Sequence, residues 1–208
     1  MSFADPILLS WGWRRRAIAF FAGAIGAMAL APISFFPAMF VTMSVAVWLI
    51  DGSVQAGKGS RFHTISFTQS AHAAAIDGWF LGFGYFLAGL WWLGSAFLVE
   101  ADKFAWAIPF AVAGLPAVLA CFTAMGFALA RLVWSTGGGR IFALAAGLGA
   151  TEWARGYVAT GFPWNSFGMA LGSHAVLAQP AAVVGLYGLT FLSVIIFAAP
   201  ACLSDMRR

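Results

Sequence analysis

Residues 151–172, TEWARGYVATGFPWNSFGMALG, combine charged, aromatic and turn-forming residues within an otherwise apolar chain. Glu152 and Arg155 are three positions apart, so on a helix they share one face and can form an ion pair. Gly161 and Pro163 then interrupt the helix, because proline lacks a backbone N–H and glycine adopts conformations that other residues avoid. The stretch therefore predicts the end of a helix that carries a charged pair near its last turn.

Five aromatic residues accompany this helix end: Trp153, Tyr157, Phe162, Trp164 and Phe167. Such clusters are typical of the boundary between a membrane and water. One interpretation is an interfacial aromatic belt beside a structural ion pair. The other is a lipid-facing site, since ionisable groups are costly in a membrane and are usually retained for function. Under either interpretation the candidate residues are Glu152, Arg155, Gly161, Phe162, Pro163 and Trp164.

The composition indicates an integral membrane protein of the all-α class. Of the 208 residues, 62% are hydrophobic and only 9% are charged, whereas about a quarter of the residues in a soluble domain are charged. A membrane-spanning helix needs ~20 apolar residues. We therefore predict that residues 1–208 form one transmembrane helical domain, a bundle of about six helices.

The apolar runs predict where these helices lie in the chain. The first run could also be a signal peptide, but Pro32 would directly follow the cleavage site and a second apolar run begins at once, so we predict an uncleaved span. Residues 51–74 are the most polar stretch and are predicted to form a loop. The predicted spans are approximately 17–31, 35–50, 75–99, 104–134, 140–159 and 181–203.

The positions of the basic residues predict the orientation in the membrane, because cytoplasmic loops are enriched in lysine and arginine. With six spans and both termini in the cytoplasm, only Lys103 and Arg155 of the eleven basic residues lie on the outer side. Residues 151–172 are then on the periplasmic side. The nine cytoplasmic residues are Arg14, Arg15, Arg16, Lys58, Arg61, Arg131, Arg140, Arg207 and Arg208.

Several residues inside the spans predict helix packing. Gly78 and Gly82 form a GxxxG pattern, which lets membrane helices approach closely. Pro109 and Pro116 predict a kink in the fourth span. Asp77 lies near the inner end of the third span, where it is either a carboxylate at the membrane boundary or a buried polar contact.

The residues alone give no complete catalytic set, and no catalytic residue, metal site or cofactor is predicted. The chain contains no GxSxG, HExxH or Walker sequence. Cys121 and Cys202 lie in apolar runs without a CxxC or Cys/His cluster, which favours two buried structural thiols. His63 and His72 fall in the predicted loop and indicate a solvated segment, not a metal site. No basic run indicates binding to nucleic acid.

Several motifs nevertheless resemble the apolipoprotein N-acyltransferase family. The resemblance extends over residues 14–202 and is most specific around residues 151–172. The motifs that carry it are Ala31-Pro32 with Phe36-Pro37, WFLGFGYF at 79–86, Trp91-Trp92, EWARG at 152–156, TGFPW at 160–164, Phe167-Gly168 and LYGLTF at 186–191.

The resemblance implies both a location and a reaction. Members join a bundle of transmembrane helices in the bacterial inner membrane to a periplasmic domain of the carbon–nitrogen hydrolase type, which carries a Glu-Lys-Cys triad. The cysteine takes an acyl chain from a phospholipid as a thioester, and the amino group of a diacylglyceryl-cysteine lipoprotein then receives it. The implied partners are therefore a phospholipid acyl donor, a diacylated apolipoprotein and membrane lipid.

Nothing in this sequence matches the triad, and an even number of spans leaves the C-terminus inside. We therefore expect the amino-terminal membrane portion of such an enzyme, without its seventh span and catalytic domain, and inactive by itself. Two alternatives are a small polytopic transporter or channel and a membrane scaffold protein. A transporter calls for polar residues along several spans or for repeated halves.

Overall fold

The structure is a computed structural model that describes residues 5–56, 63–158 and 161–207, with side chains described except at 54–56, 63–67 and 204–207. Within these ranges the chain is helical and contains no strand, which confirms the all-α prediction. Lys58, Arg61 and Arg208, which the predicted orientation uses, lie outside the described residues, as does the side chain of Arg207.

The part of the chain that the structure describes contains six helices of at least 15 residues, and each overlaps one predicted span. Three stretches in the described ranges are long and apolar enough to cross a membrane: Thr68–Leu90, Ala101–Leu132 and Ala181–Leu203. The six helices are α1 (Gly12–Gly26), α2 (Ala38–Ala56), α3 (His63–Leu90), α4 (Leu115–Leu132), α5 (Gly139–Arg155) and α6 (Ala181–Ala198).

Short helical segments connect the long helices. Pro109 precedes a π-helical segment, and Pro116 lies in the first turn of α4, so the helix is irregular where these prolines predict a kink. The α-helical segments are Asp5–Leu8, Leu93–Ala96, Ala101–Phe104, Met169–Gly172 and Ala175–Ala178; the 3₁₀ segments are Ala27–Ala29, Ala105–Ala107 and Ala199–Arg207; the π segment is Phe110–Gly114.

The predicted helix ends need correction. The predicted loop 51–74 is wrong for residues 51–56 and 63–74, because α2 continues to Ala56 and α3 begins at His63. The third helix ends at Leu90, before the predicted end at residue 99, and α5 ends at Arg155. Polar residues with adequate helix propensity extend α2 and α3 beyond the apolar runs. Apolar content alone does not require one continuous helix: apolar residues after Leu90 form a separate short helix, Leu93–Ala96.

Neighbouring helices run in alternating directions. Thr42 near the start of α2 donates a hydrogen bond to the Ala22 carbonyl near the end of α1 at 2.7 Å. The GxxxG pattern lies where α3 crosses α4, as predicted. A Cβ placed on Gly78 would come within 2.7 Å of the Phe127 ring, and one on Gly82 within 2.6 Å of a Thr123 oxygen. The absence of side chains at these glycines is what allows the close approach.

Alternating directions bring five arginines of the described chain together at one end of the bundle. We call it the arginine end, and it is defined by Arg14, Arg15, Arg16, Arg131 and Arg140. The opposite end carries the end of α5 and the loop that follows it, and we call it the Glu152 end.

Two ion pairs tie helices together at the arginine end. Arg15 of α1 contacts Asp77 of α3 at 2.7 Å, and Asp77 is only 2% exposed, so the buried polar contact is the correct alternative for Asp77. Arg140 of α5 contacts Asp51 of α2 at 3.7 Å. The Trp134 indole N–H also donates to Asp51 at 3.0 Å. These polar contacts fix which helices meet at this end.

The prediction of two buried thiols is wrong for Cys121. Cys121 is exposed on α4, and Cys202 is half-buried. An apolar run shows only that a helix is apolar, because its lipid-facing and bundle-facing sides have similar residues in a membrane protein. Burial inside the bundle could therefore not be read from the surroundings of Cys121 in the sequence.

Candidate functional site

The Glu152 carboxylate lies in the last turn of α5 and is only 4% exposed. One carboxylate oxygen accepts hydrogen bonds from the Phe167 backbone N–H at 2.8 Å and from the Arg155 guanidinium at 3.4 Å. The other accepts from the Thr190 hydroxyl at 2.7 Å and from the Ser166 hydroxyl. Because a carboxylate offers about four acceptor positions, this group is saturated and acts as a structural anchor, not as a general base.

The same contacts hold the segment around Phe167 between two helices. The Ser193 hydroxyl of α6 donates to the Phe167 carbonyl at 2.9 Å, and the Gly168 N–H donates to the Thr190 hydroxyl at 3.2 Å. The Phe167 ring is buried and lies 4.7 Å, centroid to centroid, from the Tyr85 ring of α3. We call this arrangement the Glu152 clamp; it consists of Glu152, Ser166, Phe167, Gly168, Thr190 and Ser193.

Arg155 lies beside the clamp, 4% exposed, with its guanidinium 4.9 Å from the centre of the Phe86 ring. The predicted ion pair with Glu152 is present. The Arg155 Nε and Nη1 atoms and the Tyr85 hydroxyl are buried and have no hydrogen-bond partner among the described residues. The gap lined by Phe86, Thr123 and Arg155 has no room for a water molecule. Glu152 therefore supplies the counter-charge for a guanidinium in an apolar setting.

Two glycines explain why the chain can turn immediately after α5. A Cβ on Gly156 would overlap the Tyr187 hydroxyl, so α5 and α6 approach here only because residue 156 has no side chain. Gly161 has a backbone φ of +66°, which favours glycine, and its N–H donates to the Val158 carbonyl at 3.1 Å. The turn that follows returns the chain to the bundle.

The structure divides the sequence-predicted residues into two groups. Glu152 and Arg155 form the buried pair inside the bundle. Phe162 is 53% exposed, and its ring lies 4.5 Å from the ring of Trp164, which is half-buried. Gly161 and Pro163 are also partly exposed and shape the turn that presents these rings. The Glu152 end thus has a charged interior and an aromatic rim.

Sequence reasoning missed the hydroxyl groups that complete the clamp. Ser166 lies within residues 151–172, but Thr190 and Ser193 lie in the sixth span, which is predicted from its apolar residues alone. Both are fully buried. They are three residues apart and therefore on one face of α6, and a polar pair in an apolar span is a signal that could have identified them.

The described residues contain no group of three or more histidine, cysteine or acidic side chains that could hold a metal ion. The Cys121 thiol lies on the exposed surface of α4. The hydrogen bonds of the Glu152 clamp hold in place the turn after α5, which carries the rings of Phe162 and Trp164.

Comparison with known proteins identifies the family of this helix bundle. Residues 22–199 match the family model described as "Apolipoprotein N-acyltransferase N-terminal domain". The chain belongs to the apolipoprotein N-acyltransferase family. The matched range contains the entire Glu152 clamp, and the resemblance found in the sequence is confirmed.

Individual relatives are similar over almost the whole chain. A protein named apolipoprotein N-acyltransferase from Rhodopseudomonas palustris is 53% identical over 202 residues, which are 97% of this chain and 36% of that protein. Proteins of the same name from Allorhizobium ampelinum and Bradyrhizobium diazoefficiens are 52% and 54% identical, over 98% and 97% of this chain and 38% and 36% of those proteins. The chain therefore spans little more than a third of the length of these relatives.

Proposed function

We propose that the chain is the membrane portion of an apolipoprotein N-acyltransferase, the enzyme that transfers a phospholipid acyl chain to the N-terminal diacylglyceryl-cysteine of lipoproteins. The observation that carries the proposal is the similarity to proteins of that name along 97–98% of this chain. The helical fold and the apolar stretches support a membrane location. On this proposal residues 1–208 form one membrane domain.

The proposed topology has six spans in the bacterial inner membrane, with both termini and the arginine end in the cytoplasm. Two observations support it. The six long helices alternate in direction, and Arg14, Arg15, Arg16, Arg131 and Arg140 lie at one end of the bundle. Since positive residues are enriched on the cytoplasmic side, the Glu152 end then faces the periplasm, where a lipoprotein substrate would be modified.

The proposed role of the Glu152 end is to present a rigid aromatic rim at the outer membrane surface. The Glu152 clamp holds the turn through Ser166 and Thr190, and the turn carries Phe162 and Trp164 outward. Aromatic side chains with an apolar body and a polar edge favour this depth in a bilayer. The rim is thus suited to contact the acyl-donor phospholipid and to dock a catalytic domain.

The chain alone is proposed to be inactive. Within the described residues the Glu152 carboxylate already accepts four hydrogen bonds, and Cys121 lies on the exposed surface of α4. Purified chain incubated with bacterial phospholipid and a fluorescent diacylated lipopeptide should leave the lipopeptide unchanged on a gel. Appearance of the triacylated product in proportion to the chain would contradict this proposal.

A chimeric enzyme tests the function itself. Residues 1–208 replace the matching segment of the Rhodopseudomonas palustris relative, and the chimera is assayed for acylation of the same lipopeptide. We expect activity within about tenfold of the unmodified relative, because the two segments are 53% identical. A chimera that inserts into membranes and unfolds as cooperatively as the relative, yet transfers no acyl chain, would refute the proposal.

A further inference from the structure

A groove on the outside of the bundle opens near the arginine end, between α1 and α3. Its volume is about 410 Å³. Trp13 at its edge is 74% exposed and Phe21 is 63% exposed, so the groove opens outward from the bundle. We call it the Arg16 groove; its lining residues are Trp13, Arg16, Ala17, Phe20, Phe21, Phe80 and Phe83.

The floor of the Arg16 groove is apolar and held in place by neighbouring helices. The Phe83 ring lies 5.9 Å from the Phe20 ring across the two helices and stacks on Trp79 at 5.0 Å, all centroid to centroid. The Trp79 indole N–H donates to the Ala117 carbonyl of α4 at 3.2 Å, which fixes that ring. The floor is therefore an aromatic slot whose walls do not depend on a ligand.

The rim of the groove carries positive charge. The Arg16 guanidinium lines the groove and lies 5.7 Å from the centre of the Phe80 ring. The preceding residue, Arg15, is committed to the buried Asp77 carboxylate. Arg16 forms no ion pair with a carboxylate of the described chain. One exposed guanidinium, that of Arg16, therefore borders an apolar slot.

We propose that the Arg16 groove binds an anionic phospholipid, with the phosphate on Arg16 and one acyl chain along Phe20, Phe80 and Phe83. The groove and this lipid are complementary in charge and polarity, because basic pockets between membrane helices bind anionic head groups and apolar slots accept acyl chains. This lipid is bound at the opposite end of the bundle from the Glu152 clamp. It therefore stays intact and is distinct from an acyl donor.

Quenching of tryptophan fluorescence by brominated lipid tests the proposal. The chain is placed in phosphatidylcholine nanodiscs that contain 10% of a lipid with brominated acyl chains, either phosphatidylglycerol or phosphatidylcholine. The quenched fluorescence of Trp13 is obtained by subtracting the signal of the Trp13→Phe variant from the signal of the natural chain. We expect brominated phosphatidylglycerol to quench this contribution severalfold more strongly. A brominated diether phosphatidylglycerol, which has no ester to donate, should quench equally.

Two kinds of variant separate charge from shape. Arg16→Gln should reduce the preference for the anionic lipid about fivefold, because each basic residue near an anionic surface contributes about that much. Ala17→Phe fills the groove without changing charge and should abolish the stronger quenching by brominated phosphatidylglycerol relative to brominated phosphatidylcholine. Lys103→Gln removes an exposed cation outside the groove and should leave the quenching of Trp13 by both brominated lipids unchanged.

Three results would overturn the proposal. The first is equal quenching of Trp13 by brominated phosphatidylglycerol and phosphatidylcholine. The second is an unchanged anionic preference in the Arg16→Gln variant. The third is crosslinking between two copies through a cysteine introduced at Phe21, which would show that a second chain covers the groove. None of these measurements depends on acyl transfer, so their failure is distinguishable from failure of the proposed function.

Discussion

Replacing Glu152 with alanine should destabilise the fold strongly, because one carboxylate ties α5, α6 and the intervening turn together. The Glu152→Ala change removes the acceptor for four donors: the Phe167 N–H, the Arg155 guanidinium and the hydroxyls of Ser166 and Thr190. Hydrogen bonds between membrane helices contribute about 0.6 kcal/mol on average and up to about 1.7. The free energy of unfolding should therefore fall by roughly 2–4 kcal/mol.

The upper part of this range applies because Arg155 is left buried without its counter-charge. A double-mutant cycle with Arg155→Met tests this contribution. In a chain that carries Arg155→Met, Glu152→Ala should lower the free energy of unfolding by at least about 1 kcal/mol less than it does in the natural chain. The milder Glu152→Gln keeps the side-chain shape and one acceptor oxygen. Its free energy of unfolding should lie between those of the natural chain and Glu152→Ala.

The measurement is the free energy of unfolding in mixed micelles, from titration with dodecyl sulfate followed by tryptophan fluorescence. Glu100→Ala is the matched control, because Glu100 is exposed and pairs only with exposed Lys103; its effect should stay below about 0.5 kcal/mol. A Glu152→Ala effect no larger than that of Glu100→Ala would refute the clamp as the anchor of this turn.

Two further substitutions test helix contacts. Gly156→Ala should lower the free energy of unfolding by about 1–3 kcal/mol, because the new Cβ would overlap the Tyr187 hydroxyl. Adding Tyr187→Phe should recover stability in the same titration. Gly138→Ala is the control and should cause no loss of stability, because the space around Gly138 is open. Asp77→Asn should lower the free energy of unfolding by about 3 kcal/mol, because it removes the carboxylate that pairs with the partly buried Arg15 guanidinium. Combination with Arg15→Gln should restore part of that loss, and additive effects would contradict the ion pair.

Local spacing explains which features could be predicted from the sequence. Glu152 and Arg155 pair because three residues bring two side chains to one face of any helix. Gly78 and Gly82 predict a close helix approach because small residues four apart form a flat face on any membrane helix. Both inferences need only the geometry of one helix, and the structure shows both contacts.

The clamp itself depends on contacts between distant parts of the chain. Ser166 and Thr190 meet Glu152 only because α6 packs against α5, and an isolated serine or threonine in an apolar run has many alternative partners. Asp77 is similar: the partner, Arg15, is 62 residues away. Helix ends were displaced for another reason, since apolar content shows where hydrocarbon ends and not where the hydrogen-bonded helix ends.

The central claim is that the Glu152 end faces the periplasm while the arginine end faces the cytoplasm. The direct measurement is labelling of single cysteines, in a chain carrying Cys121→Ala and Cys202→Ala, by a membrane-impermeant maleimide applied to intact spheroplasts. Phe162→Cys, in the aromatic rim, should be labelled without lysis, and Thr136→Cys, in the exposed turn between α4 and α5, only after lysis. Labelling of Thr136→Cys but not Phe162→Cys in intact cells would contradict the account.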